Sequence, residues 1–201
     1  PTHDGAMKTG DPSFAGEAAV GTNALRIYSD GSFLLLPNTD YFNFYQGGFT
    51  INLWYKAYAP VPPGNVFLSK FDVGASGWLL RSYDGADSGG DFIVEGANTT
   101  VGYTAIPDNQ WNMLTVTYDP VTTTLRTYTN GELSNQTTVD LAALPVPASP
   151  VEIGGEDSFG ADVTGDIAID DLRMYSYPIT TVEIAQNYLA ISGSDWVCNN
   201  E

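Results

Sequence analysis

The chain has 201 residues, 43% hydrophobic and 12% aromatic, which is enough apolar material for one sizeable core and too much for disorder. With 24 acidic against 7 basic residues the net charge is -17. A surface of that sign repels phosphate backbones and attracts divalent cations, so nucleic acid is excluded as a partner. No apolar run approaches the roughly 20 residues of a membrane-spanning helix, so no membrane insertion is expected. The chain opens on Pro1 rather than methionine, as expected of a piece of something longer.

Taken in order, the chain shows short apolar alternation punctuated by Gly, Pro, Asn and Asp. Strands are predicted over residues 24–28, 33–36, 49–57, 66–70, 77–83, 91–95, 112–118, 125–129, 151–153 and 166–175. Turn signals separate them: SDGS at 29–32, YDG at 83–85, YDP at 118–120 and TNG at 129–131. The run LAALPVPASP at 141–150 reads as an ordered crossing loop. One segment argues for helix. After Pro178, Thr180 and Glu183 form a capping box, and Ile184, Tyr188 and Ile191 recur at helical spacing. Many short strands and one closing helix predict an all-β antiparallel sandwich or barrel. The domain is expected over 1–191, with 192–201 as a C-terminal linker or tail.

The densest chemistry lies in GDIAIDDLRMYSYPITTVEI, at 165–184. On a strand Asp170 and Asp171 must point to opposite faces. That alternation groups Asp170 with Ala168, Leu172 and Met174, and Asp171 with Ile167, Ile169, Arg173 and Tyr175. Asp171 has a charge partner in Arg173, whereas Asp170 has none nearby. A buried carboxylate needs a partner, and calcium is a natural one; backbone amides are the alternative.

Nothing in the chain composes a catalytic constellation. The lone histidine, His3, and the lone cysteine, Cys198, lie near the two ends. Acidic residues do not alternate along one strand face as a glycosidase carboxylate pair would require. There is no phosphate loop and no zinc-ligand spacing. Exposed aromatic rings can instead serve as sugar platforms. In FTINLWYKA, Phe49, Ile51, Leu53 and Tyr55 form the core face, which leaves Trp54 among Thr50, Asn52 and Lys56. Trp78 and Tyr83 flank a strand that runs into a loop carrying Asp84 and Asp91. Trp54, Trp78, Tyr83, Asp84 and Asp91 are therefore the candidate carbohydrate contacts, with core packing or solvated turns as the alternative for each.

Five blocks in order, NALRIYSDGSFLLLP, GGFTINLWYKAYAP, NQWNMLTVTYDPVTTTLRTYTNGEL, PVEIGGE and GDIAIDDLRMYSYPITTVEI, together resemble the LamG-like (laminin G type, concanavalin A-like) jelly-roll family in its bacterial form. The resemblance runs from about residue 21 to 190. It implies a two-sheet antiparallel jelly-roll sandwich. It also implies a structural calcium held near the first and last strands, which carries onto Asp170 and, at the turn, Asp30. The first block departs from the family pattern, with IYSDG where FDG is usual. The function expected from the resemblance is a non-catalytic, lectin-like module of a secreted or cell-surface protein, monomeric, with a polysaccharide or glycan as partner. A protein-contacting adhesion or spacer module, meeting a cell-surface protein, is the alternative, and a diverged glycoside hydrolase the second.

Overall fold

A computed structural model describes residues 6–9, 12–28, 32–36, 42–43, 47–58, 64–82, 89–104, 107–156, 161–162 and 166–193. Among them are two seven-stranded sheets, a two-stranded hairpin and one helix. The strands in chain order are β1 (Ala6–Thr9), β2 (Ser13–Ala15), β3 (Ala24–Ile27), β4 (Phe33–Leu36), β5 (Phe49–Ala57), β6 (Val66–Asp72), β7 (Ser76–Ser82) and β8 (Gly90–Glu95). Then follow β9 (Thr99–Tyr103), β10 (Asn112–Asp119), β11 (Thr124–Thr129), β12 (Glu132–Thr138), β13 (Val151–Ile153), β14 (Gly155–Glu156), β15 (Ala161–Asp162) and β16 (Ile167–Tyr175), and the helix α1 (Thr181–Ser192). The first sheet runs β1-β4-β13-β6-β7-β8-β9, the second β12-β11-β10-β5-β16-β3-β2. Neighbours on both pair antiparallel, giving the expected two-sheet jelly-roll sandwich.

The main core lies between the sheets. Strand alternation delivers Phe49, Ile51, Leu53 and Tyr55 from β5, and Phe67, Trp78, Leu80 and Phe92 from the facing sheet. Tyr55 meets Phe67 across the gap at 4.3 Å between ring centres, and Phe49 meets Phe92 at 6.1 Å. The proline-rich 139–150 segment carries the chain from β12 to β13, in the other sheet. Its Leu141 amide donates to the Tyr118 hydroxyl, and the amides of Ala148 and Ser149 donate to Asp72.

A second, smaller core sits on the outer face of the second sheet, beneath α1. Thr180 caps the helix, its hydroxyl accepting from the Glu183 amide while Glu183 accepts from the Thr180 amide. The helix lays Ile184 and Tyr188 over Trp54, Met113 and Tyr128, and Gly193 in the left-handed conformation ends it.

The alternation expected for β16 breaks after Asp170. Ile169 pairs with Tyr55 and Asp170 with Trp54, but the next pair is Arg173 with Asn52, so one extra residue is inserted. The inserted turn falls at Asp171, whose φ is 46°. This is a β-bulge, and it resets which face each following residue occupies. Leu172 and Met174 join the main core with Ile167 and Ile169. Arg173 and Tyr175 stand opposite Asn52 and Thr50, on the outer face with Asp170. The face grouping expected from strict alternation is corrected accordingly: it holds up to Asp170 and inverts beyond it.

Candidate functional site

The two candidate tryptophans both lie in cores. Trp78, 1% exposed, pairs with Lys70 on the inner face of the first sheet and stacks on Phe92 at 6.0 Å. Trp54 does stand on the outer face, away from Phe49, Ile51, Leu53 and Tyr55, but it is only 2% exposed. Tyr188 of α1 stacks on it at 5.7 Å with the planes 16° apart. The polar residues flanking Trp54 are buried as well. This corrects the expectation that either ring offers a face to a sugar: inter-sheet packing covers one, the helix the other.

Asp91 lies on the outer face of the first sheet, next to Arg81 on β7. Arg81 Nε donates to one of its oxygens at 2.9 Å and Nη2 to the other at 3.4 Å. The Asp91 side chain is 1% exposed and that of Arg81 36%. Asp91 is thus spent on its arginine and closed to solvent, which corrects its reading as a direct contact. Tyr83 and Asp84 lie outside the described residues, as does Asp30.

Asp170 accepts the Val20 amide at Oδ2 (2.7 Å) and the Asp171 amide at Oδ1 (2.8 Å). It ties the segment between β2 and β3 to the bulge. Calcium requires six to eight oxygen ligands. Among the described residues no three carboxylate, imidazole or thiol groups gather anywhere. Around Asp170 the described partners are two backbone amide hydrogens, and Asp30, the other residue named for the ion, lies outside the described residues.

What the bulge does bring together is a different set. Arg173 Nε donates to Asp171 Oδ1 at 2.9 Å, and Nη2 lies 2.7 Å from Oδ2. Burial works against the Arg173 charge, but the hydrogen bond and charge of Asp171, joined by Tyr175, raise its pKa above the ordinary value. Beyond it the Tyr175 and Tyr177 rings meet at 5.5 Å, tilted by 54°. Tyr177 is 55% exposed. Its backbone is pinned: Thr50 Oγ1 donates to the Tyr177 carbonyl at 2.9 Å and accepts from the Ile179 amide at 2.9 Å. The sequence signal for this set was the run RMYSYP itself. Strict alternation hid it, because it placed Arg173 and Tyr175 on the core face with Ile167 and Ile169.

A third cluster ties down the β2–β3 connection. Arg26 forms a two-pronged pair with Asp166 at 2.8 and 2.5 Å, Lys56 pairs with Glu17, and both cations approach the Tyr58 ring, at 4.0 and 4.8 Å.

Two antiparallel sheets closing on a common core, with one helix on the outer face of the second, define a concanavalin A-like jelly roll. Residues 21–185 match the model of the Concanavalin A-like lectin/glucanases superfamily, and the chain belongs to that family. No curated protein matches it in sequence. Among solved structures it is similar to the binding domain of Paraclostridial Mosquitocidal Protein 1, at 15% identity and a TM-score of 0.73 over 94% of this chain and 47% of that one. It is also similar to the binding domain of botulinum neurotoxin DC, solved in complex with rat synaptotagmin II (13%, TM-score 0.71) and with SialylT (14%, 0.68). Each of these covers 94% of this chain and 47% of the other. The chain therefore spans about half the length of these neighbours, and the likeness is one of fold.

Proposed function

We propose that this domain is a non-catalytic, carbohydrate-binding module of a secreted or cell-surface protein. Membership of a lectin and glucanase family leaves binding and hydrolysis as the two main readings, and the carboxylates favour binding. A glycosidase acid must hold its proton near neutral pH, which requires a raised pKa. Among the described residues, every carboxylate with a clear shift is shifted the other way. Lys56 draws Glu17 down by hydrogen bonding. Burial would raise Asp72, but hydrogen bonds from Ser149 and Ala148 outweigh it. Thr122 lowers Asp119, and the Thr180 amide lowers Glu183. Asp91, Asp166 and Asp171 are held by arginines. No described helix is long and apolar enough to cross a membrane.

Glycan partners are supported by the family, and a protein partner is the competing reading, since one neighbour of this fold, the binding domain of botulinum neurotoxin DC, was solved both with SialylT and with synaptotagmin II. Tyr83 and Asp84, on the β7–β8 connection, stay among the proposed contacts; the structural calcium that the family resemblance implies is not required for the glycan contact proposed here. A glycan and polysaccharide array, run on the whole chain in calcium and again in chelator, tests it. Retention on glycans in both buffers is the expected result. Loss in chelator alone, with the fold intact by melting, would restore calcium to the site. Retention on none would hand the function to the protein-contact reading.

A further inference from the structure

The outer face of the second sheet is divided. Trp54, Met113 and Tyr128 lie under α1, Tyr175 packs at the border of that cluster, and the bulge at Asp171 and the turn carrying the exposed Tyr177 lie beside it. We propose that this border region, built around the exposed Tyr177 with Arg173 beside it and Tyr175 and Asp171 supporting the two from below, is a subsite for a neutral pyranose sugar; it rests on the glycan reading above.

Three observations carry the assignment. First, Tyr177 is an exposed aromatic on a fixed backbone. Thr50 bonds both the Tyr177 carbonyl and the Ile179 amide, and Pro178 packs where a Cβ on Gly48 would meet its Cδ at 3.3 Å. A ring held this way loses little entropy when a sugar stacks on it. Second, the bulge aims polar groups at the same place. Asp171 adopts a conformation uncommon for a residue other than glycine, with φ 46°, and its consequence is that Arg173 and Tyr175 face outward beside Tyr177. Arg173 is 37% exposed, so its fork retains donors for hydroxyl oxygens while Asp171 holds it in position.

Third, the charge inventory selects against acidic sugars. The chain carries -17. Of its 7 basic residues, Arg26, Lys56, Arg81 and Arg173 each face a carboxylate. A sialic, uronic or sulfated unit would meet an arginine whose charge is already matched, in a negative field. Hydroxyl groups impose no such penalty. The SialylT seen with a neighbour of the fold is thus not the ligand class expected here.

Native affinity electrophoresis of the whole chain tests this. Gels are cast with soluble neutral polysaccharides (β-glucan, mannan, xylan) or acidic ones (polygalacturonate, hyaluronan). Retardation by at least one neutral polymer and by neither acidic one is expected. Tyr177→Ala should weaken it roughly tenfold with an unchanged melting temperature, and Tyr177→Trp should restore it. If the wild-type chain is retarded in no gel, the glycan reading itself fails. If it is retarded and Tyr177→Ala is retarded equally, the subsite is overturned while the glycan reading stands, and loss in Tyr83→Ala would then move the contact to the β7–β8 connection. Retardation by an acidic polymer overturns the neutral class.

Discussion

Two arginine–aspartate pairs stand on the outer faces of opposite sheets. Arg81 and Asp91 are direct cross-strand neighbours in an unbroken ladder between β7 and β8. Arg173 and Asp171 are two residues apart on one strand and meet because a bulge turns them the same way. The chemistry is the same and the surroundings are not. The two arginines are equally exposed, at 36% and 37%, but Asp91 is shut from solvent at 1% while Asp171 keeps 16% and its arginine stands beside the Tyr175–Tyr177 pair. A regular ladder ties two strands through its ion pair, whereas the bulge sets the same pair along one strand and beside two tyrosines. The neighbouring aromatics divide likewise: Trp54 and Trp78 belong to cores, Tyr177 to the surface.

The comparison can be broken most forcefully at the aromatics. Trp78→Ala removes a fully buried ring from the main core and should cost about 3–5 kcal/mol in urea unfolding. Tyr177→Ala should cost less than about 0.5 kcal/mol, as surface changes do. Equal costs would end the division between core and surface rings. The two ion pairs come next. Asp91→Asn leaves a buried amide against a charged arginine and should cost about 2 kcal/mol, less than a wholly buried pair because Arg81 reaches water. Asp171→Asn keeps a side chain that tolerates positive φ and should cost under about 1 kcal/mol.

Asp170 separates an amide-bonded carboxylate from a metal ligand. Asp170→Ala removes the acceptor for the Val20 and Asp171 amides and should cost about 1–2 kcal/mol. The loss should be the same in calcium and in chelator. A loss seen only in calcium would make Asp170 a ligand. The smallest effect concerns pH. The folded chain holds Asp72 below its ordinary value of 3.8. Its stabilisation is therefore complete above that value and lost as pH falls through the folded pKa. Between pH 5 and 3, melting temperature should drop less in Asp72→Asn than in the wild-type chain; parallel curves would dismiss the Asp72 contribution.

Much of the scaffold was legible in the sequence. Strand β5 alternates as its apolar residues require, and α1 follows its capping box and the Ile184–Tyr188–Ile191 spacing. Strands that bury little on either face escaped. β12, ELSNQTT, is a mostly exposed edge strand with no apolar alternation, although Asn130-Gly131, both at positive φ, announce a hairpin before it. β9 is short and rich in threonine, and β1, β2, β14 and β15 have two to four residues each. The site was less legible. Trp54 was rightly placed on a polar face, but a helix more than a hundred positions away closes that face, and only tertiary packing reveals it. The bulge left no glycine as a marker, so the outward turn of Arg173 and Tyr175 had no local sign.

Hydrogen exchange on the whole chain, with and without soluble neutral β-glucan and mannan oligosaccharides, tests the central claim most directly. Slower exchange confined to peptides covering 171–180, with 77–95 unchanged, is the predicted result. Protection over 77–95 with 171–180 unchanged would contradict it.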